Sequence, residues 1–209
     1  MPTMNKTVLL RSVPVIAIGA FLPTLAYAHA GIGHAGIEGA ASFLHGLTHP
    51  VGGLDHVCAM LAVGLWAART GGRSMWALPL AFVSVMALGG ILPLLDIGLP
   101  FAEQGIALSV LLLGVLVAAS VRLPLWLGSS LVGLFALWHG HAHGIEMPPL
   151  ASGAAYALGF VLTTSLLHAA GIASGLWMQR QGAWHGARER LVRMAGTGIA
   201  LCGAYLVVA

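Results

Sequence analysis

Apolar residues fill most of the chain in six long runs, and short polar or charged segments separate each run from the next. The runs lie at about residues 50–68, 75–95, 103–121, 124–140, 151–178 and 191–209. A helix of about 20 apolar residues crosses the hydrocarbon core of a bilayer. The pattern therefore predicts an all-α integral membrane protein with six transmembrane helices. Residues 36–47 are predicted to form a short helix or an extension ahead of the first span. We expect a break or kink at His49, since proline disfavours helix in the residue that precedes it.

The first 28 residues have a pattern of their own. Lys6 and Arg11 flank the start of an apolar stretch, which ends at Ala26-Tyr27-Ala28. This order is typical of a cleavable signal peptide with its cleavage site. The alternative is an uncleaved first span, which the short apolar core and its two prolines disfavour. We predict a signal peptide at residues 1–28 and a single transmembrane domain at residues 29–209.

Composition agrees with a lipid environment. Hydrophobic residues make up 58% of the chain and charged residues only 7%, too few to cover a water-facing surface. The basic residues are dispersed between apolar runs rather than gathered in a patch, so no nucleic-acid partner is expected. The chain also lacks a glycine-rich phosphate loop, which weighs against an ATP-driven pump.

The segments between the runs alternate in charge. The arginines beyond the signal peptide all follow the first, third or fifth run: Arg69, Arg73, Arg122, Arg180, Arg188, Arg190 and Arg193. The other segments carry acids instead: Glu38, Asp96, Glu103 and Glu146. The positive-inside rule places the arginine loops in the cytoplasm and the mature N-terminus in the periplasm of a bacterial inner membrane.

One group of metal-binding residue types lies at the start of the first span. His49 and His56 are seven residues apart, so they would share one face of an unbroken helix. Asp55 either ligates a metal or holds the neighbouring imidazole in one tautomer. Met60 is a secondary candidate, for which ordinary packing is the alternative. For the histidines, the alternative is a set of buried rings that backbone carbonyls satisfy.

A second group lies at the end of the fourth run, where His139, His141 and His143 alternate ahead of Glu146. Imidazole is a ligand for Ni²⁺, Co²⁺, Zn²⁺ and Cu²⁺, and carboxylates add charge. Both groups are predicted on the outer side of the membrane, which favours one combined site. The alternative is a solvated loop or a surface that collects metal weakly.

Four further histidines are secondary candidates. His29 and His34 follow the predicted cleavage site, where an unstructured polar tip is the alternative. His45 precedes the first group. His168 lies within the fifth run, where it could line a pathway or form an interhelical hydrogen bond.

At these residues the sequence resembles the HupE/UreJ family of nickel and cobalt permeases. The match covers His49-Pro-Val-Gly-Gly-Leu-Asp55-His56 with the residues that follow to Trp66, and His139-Gly-His141-Ala-His143-Gly-Ile-Glu146. The resemblance implies a permease rather than an enzyme. It also implies that these histidines and carboxylates handle Ni²⁺, or Co²⁺, as transported ions rather than as a prosthetic group. The partners it implies are the metal, the bilayer and, indirectly, the metallochaperones of hydrogenase or urease maturation. A homo-oligomer is compatible with it.

Two other functions remain open at this point. An integral-membrane metalloenzyme also places histidines and carboxylates at the membrane surface. A metal-binding accessory protein or sensor would bind the ion without translocating it.

Overall fold

The computed structural model describes residues 35–179 and 185–209, and these ranges are helical without a strand. The helices are α1 (Ala35–Gly52), α2 (Leu54–Thr70), α3 (Ser74–Ile91), α4 (Ala102–Ala118), α5 (Leu125–Ile145), α6 (Gly153–Met178) and α7 (His185–Val208). A 3-10 turn, Leu92–Leu95, follows α3. The all-α prediction is confirmed. The predicted signal peptide, with His29 and His34, lies outside the described residues.

Each predicted span coincides with one helix, from α2 to α7. Three helical stretches are long and apolar enough to cross a membrane: Ser74–Leu95, Gly153–Met178 and Glu189–Val208. A fourth crossing is available if Glu38–Gly52 and α2, which are bent by 81°, form one broken span. Large apolar side chains such as Leu80, Leu158 and Leu201 are exposed, as a lipid-facing surface requires. The chain is thus a helical membrane protein, and six crossings stay a prediction.

The break between α1 and α2 falls at Gly53. Of the break or kink expected at His49, the break does not occur, because α1 continues through Pro50 to Gly52. Pro50 removes one backbone donor, but the helix ends only two residues later, so little helix follows the defect. Gly53 is extended, with φ −105° and ψ 123°. A Cβ at Gly53 would lie 2.5 Å from Asp55 Oδ1 and 3.1 Å from His56 Nδ1. Glycine at this position therefore leaves room for the Asp55 side chain to fold back over the first turn of α2.

The helices pack in close pairs, with α3 along α5, α4 along α7, and both α1 and α2 along α6. Small residues permit this approach. A Cβ on Gly140 would overlap the Met86 carbonyl of α3, and a Cβ on Gly64 or Gly171 would overlap the facing backbone. Helix α2 contacts α3, α4, α6 and α7 and is buried along much of its length. In its first turn, His56 is buried among these helices.

Polar contacts define two ends of this bundle. At one end, which we call the histidine end, the α1–α2 junction meets the α5–α6 connection through His49 and Glu146, and residue Leu99 meets His141. At the other, the arginine end, Arg69 contacts Ser120 and Glu189. The alternation of acidic and basic segments in the sequence corresponds to these two ends.

Candidate metal site

Four imidazoles gather at the histidine end, and we refer to His49, His56, His139 and His143 as the histidine cluster. Ring centres are 5.0 Å apart for His49 and His143, 4.6 Å for His143 and His56, and 4.9 Å for His56 and His139. A metal ion lies about 2 Å from each imidazole nitrogen that binds it, so rings about 5 Å apart can hold one ion between them. The two histidine groups, which are far apart in the sequence, thus lie together in the fold.

Helix α5 separates the three histidines that alternate in the sequence. His139 and His143 are four residues apart and share one face, whereas His141 points elsewhere. His141 is buried, and its Nε2 accepts the backbone N–H of Leu99 at 3.0 Å. His141 therefore lies apart from the histidine cluster and fixes the connection that precedes α4. The fourth apolar run ends at about residue 140, so the sequence does not indicate a helical period at these positions.

The Asp55 carboxylate orients His56. Asp55 Oδ1 accepts the His56 Nδ1–H at 2.9 Å and the His56 backbone N–H at 2.8 Å. With Nδ1 protonated, His56 Nε2 keeps its lone pair. This nitrogen is buried and has no hydrogen-bond partner among the described residues. Of the two roles considered for Asp55, the geometry matches the partner that holds an imidazole in one tautomer.

The outer part of the cluster adds a carboxylate that faces the cavity. Glu146 Oε2 accepts the His49 Nε2–H at 2.8 Å. One ligand atom from each of His49, His143 and Glu146 lies within 4.8 Å of the other two. Neither ring nitrogen of His143 has a partner in the described part of the chain, although the ring is fully buried against Phe160. Because buried polar atoms are normally paired, these nitrogens indicate a ligand site.

An open cavity of about 340 Å³ leads to the cluster. Its polar lining consists of Asp55, His56, Glu103 and Glu146. A cleft lined by carboxylates raises the local concentration of cations. Glu103 was not among the sequence-predicted site residues, although its place in an acidic segment was the available signal.

A further histidine lies on the inner side of the cluster. The Phe82 ring centre is 5.5 Å from that of His139 and 5.1 Å from that of His168. His168 is buried, and within the described ranges both of its ring nitrogens lack partners. At the opposite side, exposed His45 stacks 6.1 Å from His49. The rings thus form a row that runs from the exposed His45 into the bundle. Near its inner end, Phe82 contacts both His139 and His168.

Besides Glu103, three side chains at the site were not among the candidates predicted from the sequence. Phe82 separates His139 from His168, and Tyr156 lies 6.0 Å from His49 between ring centres. Ser109 Oγ lies 2.9 Å from His139 Nε2. All three occur within apolar runs, where no polar pattern distinguishes them. Met60, a secondary candidate, is fully buried in the apolar core.

Comparisons with known proteins identify the family that the chain resembles. The family model described as HupE / UreJ protein matches residues 17–206. Protein HupE of Rhizobium leguminosarum bv. viciae is 46% identical over 187 residues, which cover 90% of this chain and 92% of that protein. No solved structure matches the chain.

Proposed function

The chain belongs to the HupE/UreJ family, and from that premise we propose that it is a secondary permease that imports a divalent transition metal. The observation that carries the proposal is the histidine cluster, whose buried lone-pair nitrogens adjoin a carboxylate-lined cavity. The preferred ion is Ni²⁺, with Co²⁺ as the second choice, for hydrogenase or urease maturation. This preference follows from the family resemblance, since imidazole and carboxylate ligands bind several divalent metals.

The ligand set suits a transported ion better than a structural one. A closed site of four thiolates holds a metal as part of the fold. Here Glu146 lines the cavity, and one ligand atom from each of Glu146, His49 and His143 lies within 4.8 Å of the other two, so this group receives the ion first. An ion that binds His49 Nε2 at this position replaces the hydrogen bond to Glu146, and the hydrogen of the neutral imidazole moves to Nδ1. His56 Nε2 and His139 then take the ion deeper into the bundle.

The direction of transport follows from the charges at the two ends. The arginine end is cytoplasmic by the positive-inside rule, and the histidine end is therefore periplasmic. An ion that leaves the histidine cluster reaches His168 next, after the Phe82 ring has moved from between them. At the arginine end, the contacts of Arg69 with Glu189 and Ser120 hold α2, α7 and the α4–α5 connection together.

Uptake of radioactive Ni²⁺ by cells that express the chain tests this function. We expect Asp55→Ala and His56→Ala to abolish accumulation, because each removes the oriented imidazole at the centre of the cluster. His141→Ala is the matched control, since this buried histidine lies apart from the cluster. Immunoblots of the membrane fraction establish equal amounts of each variant. Wild-type accumulation by both Asp55→Ala and His56→Ala would contradict the proposal.

A further inference from the structure

Ser109 on α4 is fully buried, and its hydroxyl contacts His139 of the histidine cluster without belonging to the cluster. Its Oγ lies 2.6 Å from the Ile106 carbonyl oxygen and 2.9 Å from His139 Nε2. Ser109 is separated from His139 by 30 residues. Neither contact makes the serine a metal ligand, but together they determine where the hydrogens lie.

The hydroxyl of a serine has one hydrogen to donate. A carbonyl oxygen can only accept, so this hydrogen goes to Ile106. The second contact is then possible only if His139 Nε2 carries a hydrogen and donates it to Ser109 Oγ. A neutral imidazole has one protonated nitrogen, so the lone pair of His139 is on Nδ1. This Nδ1 is buried and has no partner in the part of the chain that the structure describes.

We propose that Ser109 is a positioning residue of the metal site, which fixes His139 in the Nε2–H tautomer and presents Nδ1 to the ion. The inference rests on the proposed metal-binding function of the histidine cluster. Ser109 is the counterpart of Asp55, which fixes His56 in the opposite tautomer and leaves Nε2 free. The two imidazoles, with centres 4.9 Å apart, therefore keep their lone pairs on different ring nitrogens.

Asp55 and Ser109 also make the imidazoles of His56 and His139 unequal in ligand strength. A carboxylate partner makes an imidazole a stronger ligand, and Asp55 supplies this charge to His56. Ser109 is neutral and gives His139 orientation without added charge. An ion held by both rings is therefore bound more weakly by His139, which is the ring nearer to Phe82 and His168. This inequality favours release of the ion toward the inner side of the cluster.

The tautomer can be measured directly in the metal-free, full-length protein. Nitrogen NMR of histidine-labelled protein in lipid distinguishes a protonated from a lone-pair ring nitrogen, and His139→Gln identifies the signals of His139. We expect Nε2 to be protonated and Nδ1 to be unprotonated. A His139 ring with hydrogen on Nδ1 would overturn the proposal, and this result does not depend on how any Ser109 variant folds.

Ni²⁺ binding to purified protein provides the second test. Ser109→Ala is expected to weaken binding about 10- to 100-fold, as loss of a ligand's hydrogen-bond partner typically does, and to remove the tautomer preference. Ser109→Thr keeps the hydroxyl and should bind within about threefold of wild type. Ser42→Ala is the matched control, because Ser42 Oγ also donates to a backbone carbonyl and accepts a hydrogen bond, here from the Ser152 N–H.

The outcomes separate this inference from the proposed function. Wild-type affinity in Ser109→Ala, or equal weakening by Ser42→Ala, would overturn the positioning role while Ni²⁺ binding by the chain stands. Failure of the wild-type protein to bind Ni²⁺ would instead remove the proposed function. In that case the NMR result still decides whether Ser109 fixes the tautomer of His139.

Discussion

The two ends of the helical bundle are both rich in ionisable side chains, but they differ in whether these side chains have hydrogen-bond partners. At the arginine end, Arg69 donates to both carboxylate oxygens of Glu189, at 2.8 and 3.1 Å, and to Ser120 Oγ at 2.6 Å. Arg193 adds a contact to the same carboxylate. At the histidine end, buried nitrogens of His56, His139 and His143 have no partner among the described residues.

The difference favours the histidine end as the end that binds a ligand. Burial of a polar group without a hydrogen bond is costly, and the partly buried Arg69 and Glu189 of the arginine end are paired with each other. There they join α2, the α4–α5 connection and α7. A group of unpaired imidazole nitrogens beside an acidic cavity is stable only if a cation or water pairs with it. Whether the ionisable side chains are paired within the protein, rather than how many there are, therefore distinguishes the arginine end from the candidate binding site at the histidine end.

The largest expected effect is at the centre of the histidine cluster. His143→Gln removes a ring that lies within 5.0 Å of both His49 and His56 between centres. We expect the Kd for Ni²⁺, measured by calorimetry on purified protein, to rise about 100-fold or more, since loss of a ligand exceeds loss of its outer partner. His141→Gln is the control in the same helix and should change Kd less than about threefold. Equal effects of the two variants would mean that the cluster does not define the site.

The arginine end should affect stability without affecting binding. Arg69→Met leaves Glu189 without its two-pronged partner and should lower the free energy of unfolding by about 1–3 kcal/mol. Arg69 and His56 lie about 20 Å apart along α2, so the Kd for Ni²⁺ should change less than about twofold. Denaturant unfolding and calorimetry in the same detergent measure both quantities.

The control for that experiment is Arg193→Met, which removes an equal charge. The Arg193 side chain is 56% exposed and makes one contact of 3.3 Å, so its loss should cost less than about 0.5 kcal/mol. A large rise in Kd on Arg69→Met would show that the two ends are coupled in the resting protein.

Acidity should weaken binding at the histidine end. Only the neutral form of imidazole ligates a metal, so a histidine of the cluster that is protonated in acid must lose one proton before an ion binds. If one proton is released for each ion, affinity falls about tenfold for each unit of decrease in pH. Calorimetry in buffers with different ionisation enthalpies counts the protons. In acid, where His49 is protonated in the metal-free protein, His49→Gln should lower the count by about one, and an unchanged count would assign the released proton to another residue.

The smallest expected effect concerns the cavity mouth. Glu103 is exposed and lines the cavity that leads to the cluster. Glu103→Gln should raise the half-saturating Ni²⁺ concentration for uptake about threefold at low salt and little at high salt, where exposed charges are screened. Glu38→Gln removes an exposed acid that does not line this cavity and should leave uptake unchanged at both salt concentrations.

Much of the fold followed from local sequence, because long apolar runs predict helices without knowledge of their neighbours. The break at Gly53 did not, since Pro50 is a stronger signal in the sequence than a glycine pair. The contact between the two histidine groups followed from the alternation of charged segments. Which histidines would meet did not, because it depends on how far α5 continues past residue 140. Ser109 could not be found at all, since its role exists only when α4 lies beside α5.

Transport by the purified protein alone is the central claim. Liposomes that contain the wild-type chain and a trapped metal-sensitive dye should report entry of external Ni²⁺ faster than empty liposomes and faster than liposomes with His56→Gln. Repeating the measurement with Co²⁺, with Zn²⁺ and with a pH gradient determines the selectivity and the coupling. If the wild-type chain binds Ni²⁺ but admits it no faster than empty liposomes do, the histidine cluster is a binding site and the chain is not a permease.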